Sequence, residues 1–598
     1  MIKNILVTDC GSTTTKARFF KLVMGEYRFI AAGEAATTVE APYENVTLGV
    51  RNAIREVEEL TKYTILNQEG IIMPSDGEHR GVDIYVTTSS AGGGLQMIVT
   101  GAITSITAES AERTALGAGA IVMDIFAADD GRGSWDKIER IRFLRPDIIL
   151  VSGGTDGGTI NHVIQIVKLL KGANPKHRLG AMYTLPIIYA GNKAIWRNIE
   201  EILGDTFTLK FVDNIRPTVE VENLTPARDA IHEQFMEHVM AHAPGYDLLT
   251  EWTSAPIKPT PAGEGIMFKT FAEAHDANII GVGLGGATTN IYSVYDGKFV
   301  RSVSSNLGMS YSICNVVKEA GLSSIMRWLP FRIEEEELLD VLSNKMIRPT
   351  TIPQTLKQLI IEHAVAREAL RIGFHHHKSI ARPLSPPFKT YIDLLLVDWL
   401  GGTGGLLSHA PRRVQSALIL IDGFQVEGIT NLFQDRVFMM PHLGVLSTVN
   451  KKAALQIFEK DCLIKLGPCI AFKGTLKEED YGKKIGTITI TLPNGETIHE
   501  EPKYGTIKKI ALTGEETAKI EIKPERGFQI ALGEGVFQNL NTTQNLNLNG
   551  GAVGLIIDAR GRPITFPKNG EARKKKLIEW FIELDAYPAN WLENMEGT

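Results

Sequence analysis

A basic excess is missing from this chain. It carries 63 Lys and Arg against 69 Asp and Glu, for a formal net charge of -6. Binding to a phosphate backbone is normally driven by a surplus of positive charge, so no nucleic-acid partner is expected. Long apolar runs are missing too. Stretches such as LPIIYA and YIDLLLVDWL fall short of the ~18 to 20 residues a helix needs to cross a bilayer, so no membrane partner is expected. The N-terminus has no basic segment leading into a long apolar core, and a secretory signal is not expected. Cysteine is scarce: Cys10, Cys314, Cys462 and Cys469 are scattered, with no Cys-x-x-Cys pair. Free buried thiols in a reducing cytoplasm are the reading.

What is present is an ordinary globular composition, 43% hydrophobic and 22% charged over 598 residues, enough chain for about three to four domains. Strand-like and helix-like patterns alternate through residues 1–140: KNILVTDCG and TKARFFKLV read as strands, ENVTLGVRNAIREVEELTKY as a helix, VDIYVTTSS as a strand, and AESAERTALGAGAIVMDIF as a helical pattern rich in Ala and Gly. Residues 141–252, from RPDIILVSGGTDGGTINHVIQIVKLL to FTLKFVDNI and beyond, repeat strand, Gly-rich turn and helix, which predicts an inserted parallel α/β domain. SAPIKPTPAGEG, within residues 253–265, reads as a Pro-rich linker. Residues 266–465 restore the opening pattern and run through YIDLLLVDWL, read as a strand, into GGTGGLLSH. Residues 466–550 are short Lys/Glu/Thr/Ile strands with an Asn-Gly turn, and residues 551–598 end in a strand and an amphipathic helix.

Two turns match. Asp9-Cys10-Gly11-Ser12-Thr13-Thr14-Thr15-Lys16 lies against Gly283-Leu284-Gly285-Gly286-Ala287-Thr288-Thr289-Asn290, with Gly, Thr and Thr coinciding and apolar strands on both sides. An internal duplication is the simplest account. The chemistry of such a turn suits phosphate. Glycine removes the Cβ, so backbone amides can crowd an anion. Converging N–H groups form a nest, and Ser and Thr hydroxyls add donors. Gly11, Ser12, Thr13, Thr14 and Lys16 are therefore candidate phosphate ligands from the first turn. Gly285, Gly286, Ala287, Thr288 and Thr289 are those of the second. Asp9 is positioned to hold Mg²⁺, through water, because that ion keeps several waters and takes few carboxylates. Two facing nests would grip a triphosphate. GSTTTK is not a Walker loop, lacking its Gly-x4-Gly-Lys-Ser/Thr spacing.

A third Gly-rich turn, Gly401-Gly402-Thr403-Gly404-Gly405, follows a strand. It reads either as a tight strand-to-helix turn or, in chain order after two phosphate turns, as an adenosine-binding loop. His375, His376 and His377 are adjacent and point apart on a helix, so they read as a solvated or anion-contacting cluster rather than a zinc site. GGTDGG, residues 153–158, opens a helix and reads as an anion or partner site or as a structural turn.

These turns resemble the acetate and sugar kinase, Hsp70 and actin superfamily. More specifically, TDCGSTTTKA, SSAGGGLQMIVTG, ALGAGA, PDIILVSGGTDGG, IYAGN, DNIRPT and GLGGATTNIYSV are similar to the MutL or GlmL accessory family, encoded beside adenosylcobalamin-dependent glutamate (methylaspartate) mutase and related mutases. The resemblance implies an α/β fold: duplicated actin/Hsp70-like ATPase domains, the inserted parallel α/β domain and the C-terminal β-rich appendage. It implies ATP and Mg²⁺ as cofactors, an adenosylcobalamin-dependent mutase or aminomutase as partner, and a reactivating chaperone that exchanges damaged cobalamin for intact coenzyme. A small-molecule kinase and a nucleotide-binding scaffold without turnover stay open as alternatives. One departure stands out: many superfamily members begin the second turn with an acid, and here that place is Gly283, with Asn290 after the Thr pair. Slow hydrolysis, with Asp9 as the catalytic and metal-bearing acid, is the expectation.

Overall fold

The computed structural model describes residues 2–11, 14–39, 43–90, 95–118, 120–177, 184–235, 245–304, 307–310, 312–382, 391–530, 544–588 and 591. The chain divides into two units: Met1–Gly263 with Thr448–Asn450, and Glu264–Ser447 with Lys451–Thr598.

The first unit opens with an antiparallel meander, β1 (Asn4–Cys10), β2 (Thr14–Val23) and β3 (Glu26–Ala36), and β4 (Ile84–Ser89) lies parallel to β1. The helix Val46–Thr61 covers this sheet because Val46, Val50, Ala53, Ile54 and Val57 recur at three- and four-residue spacing and form one buried stripe. Each such aliphatic side chain contributes about 1.5–3 kcal/mol when buried. The Asn45 side chain starts the helix by accepting the Thr47 N–H, and Lys62 ends it in the left-handed conformation.

The chain then builds a second sheet from β5 (Gln96–Gly101), β6 (Ile121–Ala127), β7 (Ile148–Val151), β8 (Pro186–Tyr189) and β9 (Thr208–Phe211). All are parallel, in the order β6-β5-β7-β8-β9. Helices Glu109–Ala118, Ser134–Leu144, Asn161–Ala173 and Trp196–Leu203 alternate with the strands. Successive strand residues face opposite ways: Ile98, Ile149 and Ile187 join one buried cluster, Met97, Leu150 and Ile188 the other. This is a doubly wound sheet. Afterwards β10 (Lys258–Pro259) pairs with β4, completing the order β10-β4-β1-β2-β3.

The second unit repeats that plan. β11 (Ile279–Leu284), β12 (Thr289–Tyr295) and β13 (Lys298–Ser304) form an antiparallel meander, and β14 (Trp399–Thr403) and β15 (Gly428–Asp435) follow β11 in parallel. The order β13-β12-β11-β14-β15 matches β3-β2-β1-β4-β10 strand for strand. The chain continues through β16 (Leu463–Ala471), β17 (Gly486–Thr491), β18 (Thr497–Glu500), β19 (Ile507–Ile510), β20 (Thr517–Pro524), β21 (Gln544–Asn549) and β22 (Leu555–Asp558). β16, β22 and β19 extend the sheet to eight strands, while β18-β17-β20-β21 form a sheet of four. Among the described residues no helix is long and apolar enough to cross a membrane.

Four segments differ from the sequence reading. The inserted sheet takes in β5 and β6, at 96–101 and 121–127, so it begins well before residue 141. AESAERTALGAGAIVMDIF is not one helix: it is helical over Glu109–Ala118 and extended over Ile121–Ala127, because Ile, Val and Phe replace Ala as the chain moves along it. The Pro-rich stretch, within which the first unit ends and the second begins, is regular structure rather than an irregular linker. It supplies β10 and the start of the helix Thr260–His275. Similarly, YIDLLLVDWL is a short 3₁₀ turn over Leu394–Leu396 before the strand begins at Trp399.

Candidate functional site

The two turns share one closure. In the first, the Gly11 N–H donates to the Thr14 carbonyl at 3.1 Å; in the second, the Gly285 N–H donates to the Thr288 carbonyl at 2.9 Å. The flanking registers agree as well, Cys10 facing Thr15 and Leu284 facing Thr289. Ser12 and Thr13 lie outside the described residues.

Beside the first turn Asp9 sits at the end of β1 with 2% exposure. Thr88 Oγ1, its neighbour on β4, donates to Asp9 Oδ1 at 2.8 Å, and Thr260 Oγ1 donates to the same oxygen at 2.6 Å. Burial pushes the carboxyl above its ordinary range; the two hydroxyls and the charges of Lys16 and Arg18 pull the other way. Lys16 stands directly across from Asp9 on β2 and is half-buried. Thr37 Oγ1 donates to the Gly11 carbonyl at 2.8 Å. Among the described residues no donor reaches Asp9 Oδ2. A hard carboxylate oxygen with its partner oxygen already fixed suits a hydrated Mg²⁺. Among the described residues no group of three or more His, Cys, Asp or Glu forms a protein-only metal cage.

The second turn is oriented by its carbonyls. Those of Gly285 and Gly286 accept from the Met309 and Ser310 amides at 2.9 and 2.8 Å, and that of Ala287 accepts from Ser312 Oγ at 2.7 Å. With the carbonyls held on that side, the peptide planes turn the Gly286, Ala287 and Thr288 amides away from it, and among the described residues nothing accepts from them. This is the arrangement of an anion nest. Thr289 is buried and donates to the Leu307 carbonyl at 2.5 Å, so its hydroxyl serves the fold rather than facing outward.

Gly283 has no side chain to match Asp9, yet a carboxylate is there. A Cβ on Gly283 would lie 2.2 Å from Oε2 of Glu264, which reaches in from the helix Thr260–His275. Tyr292 Oη donates to that Oε2 at 2.7 Å, and Glu264 is 3% exposed. Sequence reasoning missed Thr88, Thr260 and Glu264. The last two fell in the stretch read as linker, and no local pattern marked them.

The third turn divides by role. Gly401 and Gly402 lie inside β14, where a Cβ would come within 2.0 Å of the Phe433 ring and 2.7 Å of Leu407; close packing explains both. Thr403 is buried and donates to Asp435 Oδ2 at 3.1 Å. Burial raises the Asp435 carboxyl, opposed by the amides of Met440, Val437 and Met439 and by Thr403. Gly404 packs its backbone on Leu284, at the entrance to the second turn, and Gly405 faces open space.

Other singled-out residues find structural places. His377 is fully buried between Ser302 and Ser293, each at 2.8 Å from a ring nitrogen, and is not a solvated cluster member. The GGTDGG turn after β7 is tied by Asn214 Nδ2 to the Gly154 carbonyl at 2.9 Å and by Asn192 Nδ2 to the Gly158 carbonyl at 3.2 Å. Thus IYAGN and DNIRPT each lend an asparagine to it. All four cysteines are free, Cys314 half-buried and the others buried.

Two α/β sheets of one strand order, each carrying a Gly/Thr turn closed by the same bond, define a duplicated fold of the actin and Hsp70 type. The chain belongs to the MutL protein family, whose pattern matches residues 5–462. It is 26% identical over 488 residues to Protein MutL of Clostridium tetanomorphum, covering 76% of this chain and 98% of that one. Among solved structures it is similar to nucleotide-free acetone carboxylase (11% identity, TM-score 0.33, 84% of this chain and 81% of that one). It is also similar to component A of Acidaminococcus fermentans (R)-2-hydroxyglutaryl-CoA dehydratase (12%, 0.25, 77% and 98%). Gluconate kinase from Lactobacillus acidophilus is a third (11%, 0.28, 76% and 90%). At such identities and scores the likeness carries no argument about what this chain binds.

Proposed function

We propose that this chain is a slow, Mg²⁺-dependent ATPase that acts as an accessory protein to an adenosylcobalamin-dependent mutase or aminomutase, using ATP to exchange damaged cobalamin for intact coenzyme. The observation that carries the nucleotide part is the pair of Gly/Thr turns with one closure, the second presenting unclaimed amides. In this reading Thr14 in the first turn and Gly286, Ala287 and Thr288 in the second supply donors to phosphate oxygens, while Gly11 and Gly285, whose amides close the two turns, offer an approach without a Cβ. Ser12 and Thr13 are further phosphate candidates from the sequence alone, Lys16 neutralises charge, and Gly404 and Gly405 border the adenosine. Mg²⁺ would supply charge neutralisation at the phosphates, with Asp9 holding its water shell. Membership of the MutL family supports the accessory role and the choice of partner. The test is to add the protein with Mg-ATP to mutases stalled with damaged cobalamin. Recovery of one of them is the expected result, and recovery of none refutes reactivation. The lack of a strand-borne acid at Gly283 favours a second reading, a nucleotide-binding scaffold without turnover. Phosphate release separates the two.

A further inference from the structure

We propose that the open edge of β19 is a docking groove for an extended segment of a partner protein, which adds to the sheet as a further strand and carries an apolar centre between an acidic and a basic residue. This goes beyond the nucleotide reading and does not rest on it. β19 ends the eight-stranded sheet, and its register fixes which backbone groups are free. The Ala559 N–H donates to the Thr506 carbonyl and the Phe472 N–H to the Asp558 carbonyl. Asp558 is therefore turned toward β16, and Ile557, which faces Lys508, toward β19. The antiparallel alternation then turns the N–H and C=O of Ile507 and Lys509 away from β22, and among the described residues nothing bonds to them. Lysines usually blunt such an edge. Here both are drawn aside: Lys508 Nζ donates to Glu500 Oε1 on β18 at 2.7 Å, and Lys509 Nζ to the Leu584 carbonyl at 3.3 Å.

A cavity of about 580 Å³ lies along this edge, within the range of ligand pockets, about 300–1,000 Å³. Thr506, Ile507 and Lys508 line it, with Trp580 and Ile582 from the helix Gly570–Glu583. Ile507 and Trp580 belong to the core cluster on one face of the sheet; Ile557, which also lines the cavity, belongs to the cluster on the other. A cavity that touches both faces runs past the edge between them. Ile507 is 2% exposed, so its outward backbone groups are shielded from bulk water, and a buried backbone pair without partners is costly. An extended polypeptide is the chemistry that satisfies them, because it offers N–H and C=O at strand spacing and sends alternate side chains to opposite faces. On the helix side Ile507, Trp580 and the exposed Ile582 call for apolar side chains. Charge sets the ends. Glu500, Glu501 and Glu579 are each paired, with Lys508, Lys484 and Lys576. Two exposed charges of the lining have no ion partner among the described residues: Lys503, before β19 begins, and Glu583, next to the residue whose carbonyl takes Lys509. An acid toward Lys503 and a base toward Glu583 complement them.

The probes are two fluorescein-labelled peptides with blocked ends, Asp-Val-Thr-Val-Thr-Val-Lys and its reverse, one for each strand direction. Anisotropy on the full chain gives affinity, and hydrogen exchange over residues 505–511 is the local readout. One peptide is expected to bind saturably and to slow exchange there. Lys509→Pro removes an outward N–H without taking a bond from the ladder and should weaken binding about 10-fold or more, whereas Lys509→Ala keeps that N–H and binds as the unaltered chain does. Glu583→Lys should weaken binding about threefold or more, with recovery when the Lys of the peptide is replaced by Asp. The proposal is overturned if neither peptide binds below about 1 mM, if the slowed exchange falls elsewhere, or if Lys509→Pro binds as Lys509→Ala does. Should Lys509→Pro lose its cooperative melt, the charge exchange at Glu583 decides alone, and absence of recovery there overturns the proposal.

Discussion

Removing one methyl-for-hydroxyl exchange, Thr260→Val, tests whether Asp9 is held as a charged group. Thr260 Oγ1 lies 2.6 Å from Asp9 Oδ1, and both residues are buried. A hydrogen bond to a charged acceptor contributes about 1.5–3 kcal/mol, a neutral one about 0.5–1.5 kcal/mol. The difference, about 1–1.5 kcal/mol, is the coupling expected between Thr260→Val and Asp9→Asn in a double-mutant cycle at pH 7. The pH dependence follows from the raised carboxyl of Asp9. In the window between the ordinary aspartate value and the raised one, the folded chain binds more protons than the unfolded chain. Stability therefore falls as pH rises through that window, and above it the charging penalty, eased by Thr260, is present in full. The coupling is largest above that window and fades as Asp9 protonates. Calorimetric melting of the four proteins reads it as about 2–6 °C of non-additive shift in the transition of the first unit. Additive shifts at pH 7, with coupling below about 0.3 kcal/mol, would refute a charged, Thr260-bound Asp9.

Gly401→Ala places a Cβ 2.0 Å from the Phe433 ring and is expected to cost about 1–3 kcal/mol by overpacking; an unchanged melting temperature would disprove the packing role. His363 is buried beside Arg367, and burial first, then that charge, depresses its imidazole to about 3. The folded ring stays neutral while the unfolded one takes a proton below about 6.5, so stability is lost as pH falls, by about 2 kcal/mol at pH 5. Denaturation midpoints across pH 5–7 check this, and His363→Gln should flatten the slope. Arg560→Met leaves the buried Asp558 without the guanidinium that bonds it at 2.8 Å and should cost about 3–5 kcal/mol; a loss under about 1 kcal/mol would mean Arg562 alone suffices.

Much of the architecture was legible because it rests on period. β1 and β2 are apolar runs around polar turn residues, and the strand-turn-helix repeats that follow β7 keep their alternation in the fold. What failed was short or masked by composition. β10 is two residues long, too short to show any period, and its setting explains the prolines that made it look like a linker. Pro259 sits on an edge strand, where the lost N–H faces no partner strand, and Pro261 lies in the first turn of a helix, where that N–H would be unpaired anyway. The glycines of β14 misled in the opposite direction. Gly401 and Gly402 read as a loop because small residues usually mark turns, yet two large neighbours, Phe433 and Leu407, demand them within a strand.

The site was legible only where its residues are adjacent in sequence. Asp9, Gly11 and Thr14 announce themselves together, and so do Gly285 and Thr288. Their supports come from elsewhere: Thr88 from a strand across the register, Thr260 and Glu264 from a helix, Ser312 from the segment after β13. Gly283 is the sharpest case. Read in its own segment, a glycine where the repeat has an aspartate means an absent acid, and slow hydrolysis follows from that absence. In three dimensions the same glycine is the space into which an acid from another element fits. A duplicated fold constrains where charge must sit, not which residue carries it, so after duplication an acid can migrate from strand to helix once the vacated position shrinks to glycine. Comparing Gly283→Ala with Gly283→Ala/Glu264→Ala exposes this directly. The single change forces a Cβ against a buried carboxylate and should destabilise the second unit, while the double change removes the clash and should recover most of the loss. A double variant as unstable as the single one would mean that the fit between Gly283 and Glu264 is incidental to the fold.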